Sequence, residues 1–199
     1  ISYILLIILM LNKIIYRLDT SSILILILLS LILPIIFYND KDKYNICDGM
    51  YFIGIILLLG IAFNNISNMR EISIYTCIYI FIISFITDTY AYIGGSLIGK
   101  HKFTSISPKK TIEGCLAGII MGTFIGSMFY ISLIGSISVL KTIIMSFIFT
   151  ILSELGDLVF SAIKRYFDKK DYSNIIPGHG GILDRFDSVI YVSLGMSLI

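Results

Sequence analysis

Apolar runs of membrane-spanning length recur along this chain and leave it little choice of fold. Ser21–Tyr38, Met50–Phe63, Ile72–Ile98, Ile112–Ile134, Ser138–Tyr166 and Ile182–Ile199 are predominantly apolar, and Tyr3–Tyr16 is a shorter seventh run. A helix needs about 20 apolar residues to cross a bilayer. In hydrocarbon the backbone must satisfy its own hydrogen bonds, so helices are expected even though the many isoleucines are only moderate helix formers. The expectation is an all-α, polytopic integral membrane protein with six or seven transmembrane helices. Composition agrees: 57% of residues are hydrophobic and only 14% charged, against about 25% charged in a soluble domain. Ile72–Ile98 and Ser138–Tyr166 exceed the bilayer core, so their ends should tilt or protrude.

Two polar loops interrupt the pattern, at 99–111 and 167–181. Two spans separate them, which puts them on one side of the membrane. Ten of the 15 Lys and Arg residues fall on that side: Lys41, Lys43, Lys100, Lys102, Lys109, Lys110, Lys164, Arg165, Lys169 and Lys170. Basic residues concentrate in cytoplasmic loops, so a multi-pass protein of the bacterial inner-membrane type, with its polar site facing the cytoplasm, is expected. The net charge of +2 offers no bulk attraction for nucleic acid. The chain opens at Ile1 without Met. A truncated N-terminal transmembrane part over 1–49 and a catalytic transmembrane domain over 50–199 are expected.

Small residues add one packing signal. Gly114, Gly118, Gly122 and Gly126 recur every fourth residue, and Gly95 and Gly99 repeat the spacing. On helices this makes a groove for close approach, within the chain or, as the alternative, across a homodimer face. Cys47, Cys77 and Cys115 have no metal-ligand spacing and read as small apolar core residues.

The chemistry lies in acids set inside apolar runs. Asp88, Glu154, Asp157, Asp184 and Asp187 would each cost about 2.5–3.5 kcal/mol at a helix centre unless they face a wet, charged cavity. Glu154, Asp157, Ser161 and Lys164 or Arg165 follow three- and four-residue steps, so they share one helix face. Asp184, Asp187 and Ser188 do the same on another. Carboxylates running into a basic pair suit metal-bound phosphates, with a hard cation such as Mg²⁺ on the carboxylates. Asp157 and Asp184 are the first-choice ligands. Ser107-Pro108-Lys109-Lys110-Thr111 precedes a helix whose N-terminus offers backbone N–H groups to phosphate. Pro177-Gly178-His179-Gly180-Gly181 is a turn poor in side chains that permits close backbone approach to a nucleotide. No Cys/His cluster suggests zinc, and no Walker-type glycine loop or Gly-x-Ser-x-Gly elbow is present.

Together these segments resemble a known family. Ser161-x-Ile163-Lys164-Arg165, Lys170-Asp171-x-Ser173 and Ile176-Pro177-x-His179-Gly180-Gly181-Ile182-x-Asp184-Arg185-Phe186-Asp187 match the signature of the phosphatidate cytidylyltransferase (CDP-diacylglycerol synthase) family. Asp88-Thr89, Ala91-Tyr92, Gly99-Lys100, Ile106-Ser107-Pro108, Lys110-Thr111 and Glu113-Gly114 resemble its central motif. Leu155-Gly156-Asp157-Leu158 resembles a third. Tyr90 stands where relatives often carry Gly, and members usually have further N-terminal spans.

The resemblance implies transfer of the cytidylyl group of CTP to phosphatidic acid, giving CDP-diacylglycerol and diphosphate, with Mg²⁺. Asp157 and Asp184 are then expected to bind the metal, with Asp88 and Asp187 supporting the site or holding a second cation. Lys110, Lys164, Arg165 and Arg185 would contact phosphates. Ser107, Lys109 and Thr111 would add phosphate contacts, and His179, Gly180 and Gly181 would shape the nucleotide pocket. Two alternatives stand beside this. One is a nucleotidyltransferase or kinase acting on another lipid phosphate or lipid alcohol. The other is an ion-coupled transporter, which calls for acids spread through the bilayer depth and for inverted repeats; here the acids cluster near the polar loops.

Overall fold

The computed structural model describes residues 29–30, 45–135, 138–173 and 180–198. Tyr3–Tyr16, nearly all of Ser21–Tyr38, and His179 lie outside the described residues. Five bounded helices follow in order: α1 Ile46–Ile72, α2 Ile74–Ile98, α3 Ile112–Leu133, α4 Val139–Tyr166 and α5 Leu183–Met196. No strand occurs among the described residues, only an isolated bridge between Lys102 and Thr111. Contacts gather into two compact units, Ile1–Asn64 and Asn65–Ile199. Every candidate site residue belongs to the second.

Helices α1 to α4, of 27, 25, 22 and 28 residues, are long and apolar enough to cross a membrane. The predicted last span is shorter than expected: α5 has 14 residues, about 21 Å of helix against a hydrocarbon core of about 30 Å. The predicted run Ile72–Ile98 is met by α2, Ile74–Ile98. Ser73 is extended and its hydroxyl accepts from the Tyr75 N–H, so α2 starts with its own N-cap. In the first unit, α1 is opened by a reciprocal cap: Asp48 N–H donates to Asn45 Oδ1 at 2.9 Å and Asn45 N–H to Asp48 Oδ2 at 3.0 Å.

The glycine groove is filled from within the second unit. A Cβ on Gly118 would sit 2.6 Å from the Thr87 carbonyl oxygen, and one on Gly114 would sit 2.6 Å from that of Ala91. Both obstacles are α2 backbone, so α2 and α3 meet main chain to main chain. Gly118→Ala should therefore cost about 1–3 kcal/mol, since rigid neighbours cannot yield. Unfolding of the protein in detergent measures this, with Gly54→Ala as control because a Cβ there meets nothing within 4 Å. Equal loss in both would remove the packing argument.

Away from the glycine seam, Tyr79, Ile80, Ile83, Tyr130, Met145, Phe149, Val189, Val192 and Met196 form one buried cluster across α2, α3, α4 and α5. The Tyr79 hydroxyl lies 2.7 Å from Ser146 Oγ, which gives the buried phenol a polar partner. This cluster fixes the four helices against one another and so sets where their polar ends meet.

Candidate active site

The polar ends converge on a cavity of about 420 Å³. Asp88 reaches it from α2, Asp157 from α4, and Asp184, Arg185 and Asp187 from α5. The α2–α3 loop adds Ser107, Lys109, Lys110 and Thr111. Residues separated by up to a hundred positions thus share one wall, and four of them are carboxylates.

The loop is held in a hairpin-like shape. Phe103 N–H donates to the Lys110 carbonyl at 2.9 Å, Ile112 N–H to that of His101 at 3.0 Å, and Lys110 N–H to that of Ser107 at 3.0 Å. Glu113, in the first turn of α3, ties down the base. It accepts from the backbone N–H groups of Lys100 and His101 at 3.1 and 3.2 Å, and pairs with His101 Nδ1 at 2.6 Å. Thr111 caps α3, its hydroxyl accepting from Gly114 N–H at 3.2 Å. One of the backbone donors expected to be open to phosphate is therefore already engaged.

Lys110 projects from this loop between two carboxylates of α4. Its Nζ lies 2.6 Å from Glu154 Oε2 and 2.7 Å from Asp157 Oδ2. Burial works against the ammonium, but the charges of Asp157 and Glu154 and their hydrogen bonds win, holding its pKa above the ordinary lysine value. Lys110 is a permanent cation at any working pH. Asp157 also accepts from Ser161 at 3.4 Å, one turn along, as the three- and four-residue spacing predicts.

A second knot closes the other side. Lys164 Nζ donates to Asp184 Oδ1 at 2.8 Å, and both side chains are largely buried. Asp184 Oδ2 accepts from Tyr172 N–H and Gly181 N–H, each at 2.9 Å. Asp184 thus ties the end of α4, the following connection and the start of α5 into one piece. The glycine pair serves this knot. Gly180 has φ +82, in the left-handed region that glycine adopts without strain, and a Cβ on Gly181 would meet Ser173 Oγ at 2.5 Å. The close approach allowed by these glycines is to Ser173 and Asp184 of the same chain.

Between the knots lie Asp88 and Asp187. Ser188 Oγ donates to both oxygens of Asp88, at 3.0 and 3.3 Å, and Ser188 N–H donates to Asp187 Oδ1 at 2.9 Å. Asp187 and Glu154 are buried, at 7% and 5% exposure.

Not every predicted residue reaches the cavity. Arg165 is exposed and donates to the Lys169 carbonyl at 3.0 Å, closing the end of α4. Lys164 acts through Asp184 rather than from the cavity lining. Four partners were not anticipated: Glu113 as the loop's tether, Cys115, whose Sγ lies 3.6 Å from Glu154 Oε2, Ser188 as donor to Asp88, and Tyr172. The Tyr172 ring lies 5.4 Å from Lys164 Nζ and its hydroxyl donates to the Phe160 carbonyl at 3.1 Å. The sequence held a hint for Ser188, one residue from Asp187 on the polar face of its helix, and for Glu113, within the segment that resembles the central motif, but none for Cys115 or Tyr172.

Known proteins are similar to this chain over most of its length. The phosphatidate cytidylyltransferase of Staphylococcus saprophyticus is 38% identical over 168 residues, 84% of this chain and 65% of that protein. The protein of the same name from Staphylococcus haemolyticus is 37% identical over the same shares. That of Staphylococcus aureus strain COL is 35% identical over 156 residues, 77% of this chain and 59% of its own length. The chain spans less than two thirds of the length of these relatives. The model of the cytidylyltransferase family matches residues 1–199 without remainder. By that end-to-end match, the chain belongs to the cytidylyltransferase family.

Proposed function

We propose that this chain forms the catalytic part of an integral membrane enzyme that transfers the cytidylyl group of CTP to phosphatidic acid, releasing CDP-diacylglycerol and diphosphate. The observation that carries this reading is the cavity in which Lys109, Lys110 and Arg185 meet four aspartates. Relatives named phosphatidate cytidylyltransferase support the choice of substrates. The site faces the cytoplasm on the distribution of basic residues.

The chemistry asks little of a protein nucleophile. A phosphate oxygen of the lipid attacks the α-phosphorus of CTP, and the bond from that phosphorus to the bridging oxygen breaks. The electron pair leaves with diphosphate. Both reactants are anions, so catalysis rests on holding them in line and neutralising charge. Lys110 supplies a fixed cation, and Arg185 and Lys109 stand along the same wall. Ser107 and Thr111 offer hydroxyl groups at the loop's edge. His179 with Gly180 and Gly181 belongs to the nucleotide side in this reading.

Mg²⁺ fits the donor set. Asp157 and Asp184 would hold it, with Asp88 and Asp187 beside them or on a second cation; all are hard oxygen donors on one cavity. Among the described residues no three His, Cys, Asp or Glu side chains converge as a metal cage. Mg²⁺ needs only one or two protein carboxylates when phosphate oxygens and water complete its shell. Asp184 has one lone-pair position left on Oδ1 after its three bonds. When bound, the ion would neutralise phosphate oxygens.

The test is direct. The full-length protein in bilayers, given labelled CTP, Mg²⁺ and phosphatidic acid, should yield a cytidylyl-bearing lipid and diphosphate in equal amounts. Product with another lipid phosphate but none with phosphatidate would move the assignment to a different lipid nucleotidyltransferase.

A further inference from the structure

Glu154 is buried behind the cavity wall and holds Lys110 at 2.6 Å through Oε2. Its other oxygen, Oε1, is buried with no hydrogen-bond partner among the described residues. An unpaired buried acceptor is costly, and on a carboxylate more so. Beside it, Asp157 shares the same ammonium at 2.7 Å but is 26% exposed and lines the cavity. One lysine thus serves two acids, one sealed and one open.

A cation arriving at Asp157 meets Lys110 already there, and like charges a few ångströms apart repel. The sealed acid resolves the conflict. Lys110 has three N–H donors, and a small swing toward Glu154 lets it bridge Oε2 and the orphaned Oε1. That movement satisfies the buried oxygen and vacates Asp157. We infer that Glu154 is a positioning residue that takes over the Lys110 ammonium when a divalent cation claims Asp157. The lysine then stays charged and in place for phosphate while the aspartate turns to the ion. This inference rests on the nucleotidyltransferase reading only for the identity of the cation.

Metal binding without nucleotide separates the two. Mn²⁺, as the probe for Mg²⁺, is titrated into the full-length protein in lipid nanodiscs and free Mn²⁺ is followed by electron paramagnetic resonance. Glu154→Gln leaves Lys110 wholly on Asp157, so Mn²⁺ should bind about 10-fold more weakly. Lys110→Gln frees Asp157, so Mn²⁺ should bind about 10-fold more tightly. In the Lys110→Gln background, Glu154→Gln should change nothing, because Glu154 acts only through the lysine. Weakening of the same size in both backgrounds would mean that Glu154 acts on the ion itself, and would overturn the inference. So would unchanged binding in Glu154→Gln, or wild-type protein that binds no Mn²⁺; in that last case the transfer assay still stands or falls on its own. If Glu154→Gln does not fold, as its thermal transition would show, failure of Lys110→Gln to tighten binding overturns the inference alone.

Discussion

Asp157→Asn should lower cytidylyl transfer about 1,000-fold, about 4 kcal/mol of transition-state stabilisation, while leaving the fold intact. Asp157 is the most open carboxylate among the ion pairs of the cavity wall, at 26% side-chain exposure. Its protein partners are replaceable: Lys110 keeps Glu154 at 2.6 Å, and the Ser161 contact is long at 3.4 Å. Little structure therefore depends on its charge, whereas any cation or phosphate entering the cavity meets it. Turnover measured with CTP and phosphatidate, beside a thermal unfolding curve, gives both halves of the prediction. Near-normal turnover in folded protein would remove Asp157 from the chemistry.

Asp184→Asn should fail differently, losing stability and activity together. Lys164 and both backbone donors converge on this carboxylate, which is 7% exposed. An amide in its place presents an NH₂ group either to the ammonium or to the two N–H groups. Breaking a buried ion pair in this way costs about 3–5 kcal/mol, because Lys164 is left without its counter-charge. The start of α5 should loosen with it, carrying Arg185 and Asp187 out of register. The expected signature is a fall of several degrees or more in the unfolding temperature and transfer below detection. Loss of activity with an unchanged unfolding temperature would show that Asp184 serves the reaction alone and not the architecture.

The contrast between these two aspartates marks the limit of what the sequence made legible. Helices were readable because a membrane-length apolar run has one satisfactory backbone, and the observed α2, α3 and α4 lie close to the predicted runs. The common face of Asp157 and Ser161 was readable because it follows from helical spacing. Contacts made by backbone were not. Nothing in the side-chain pattern announces that Tyr172 N–H and Gly181 N–H close on Asp184, so it read as an open ligand. Likewise Glu154 and Asp157 could be placed on one face, but the arrival of Lys110 between them from a loop forty residues upstream depends on the hairpin that Glu113 ties. Repeating glycines predict a groove without saying what fills it; α2 does.

That glycine seam has a consequence for the cavity. In the proposed reaction a lipid substrate enters from the bilayer and a bulkier lipid product leaves, and the walls of the cavity set what room both have. The wall carrying Asp88 and Thr111 sits where α2 and α3 approach main chain to main chain at Gly114 and Gly118. Across the cavity α4 and α5 approach almost as closely, since a Cβ on Gly156 would sit 2.8 Å from the Asp187 carbonyl oxygen, so neither helix pair can part without opening a main-chain seam.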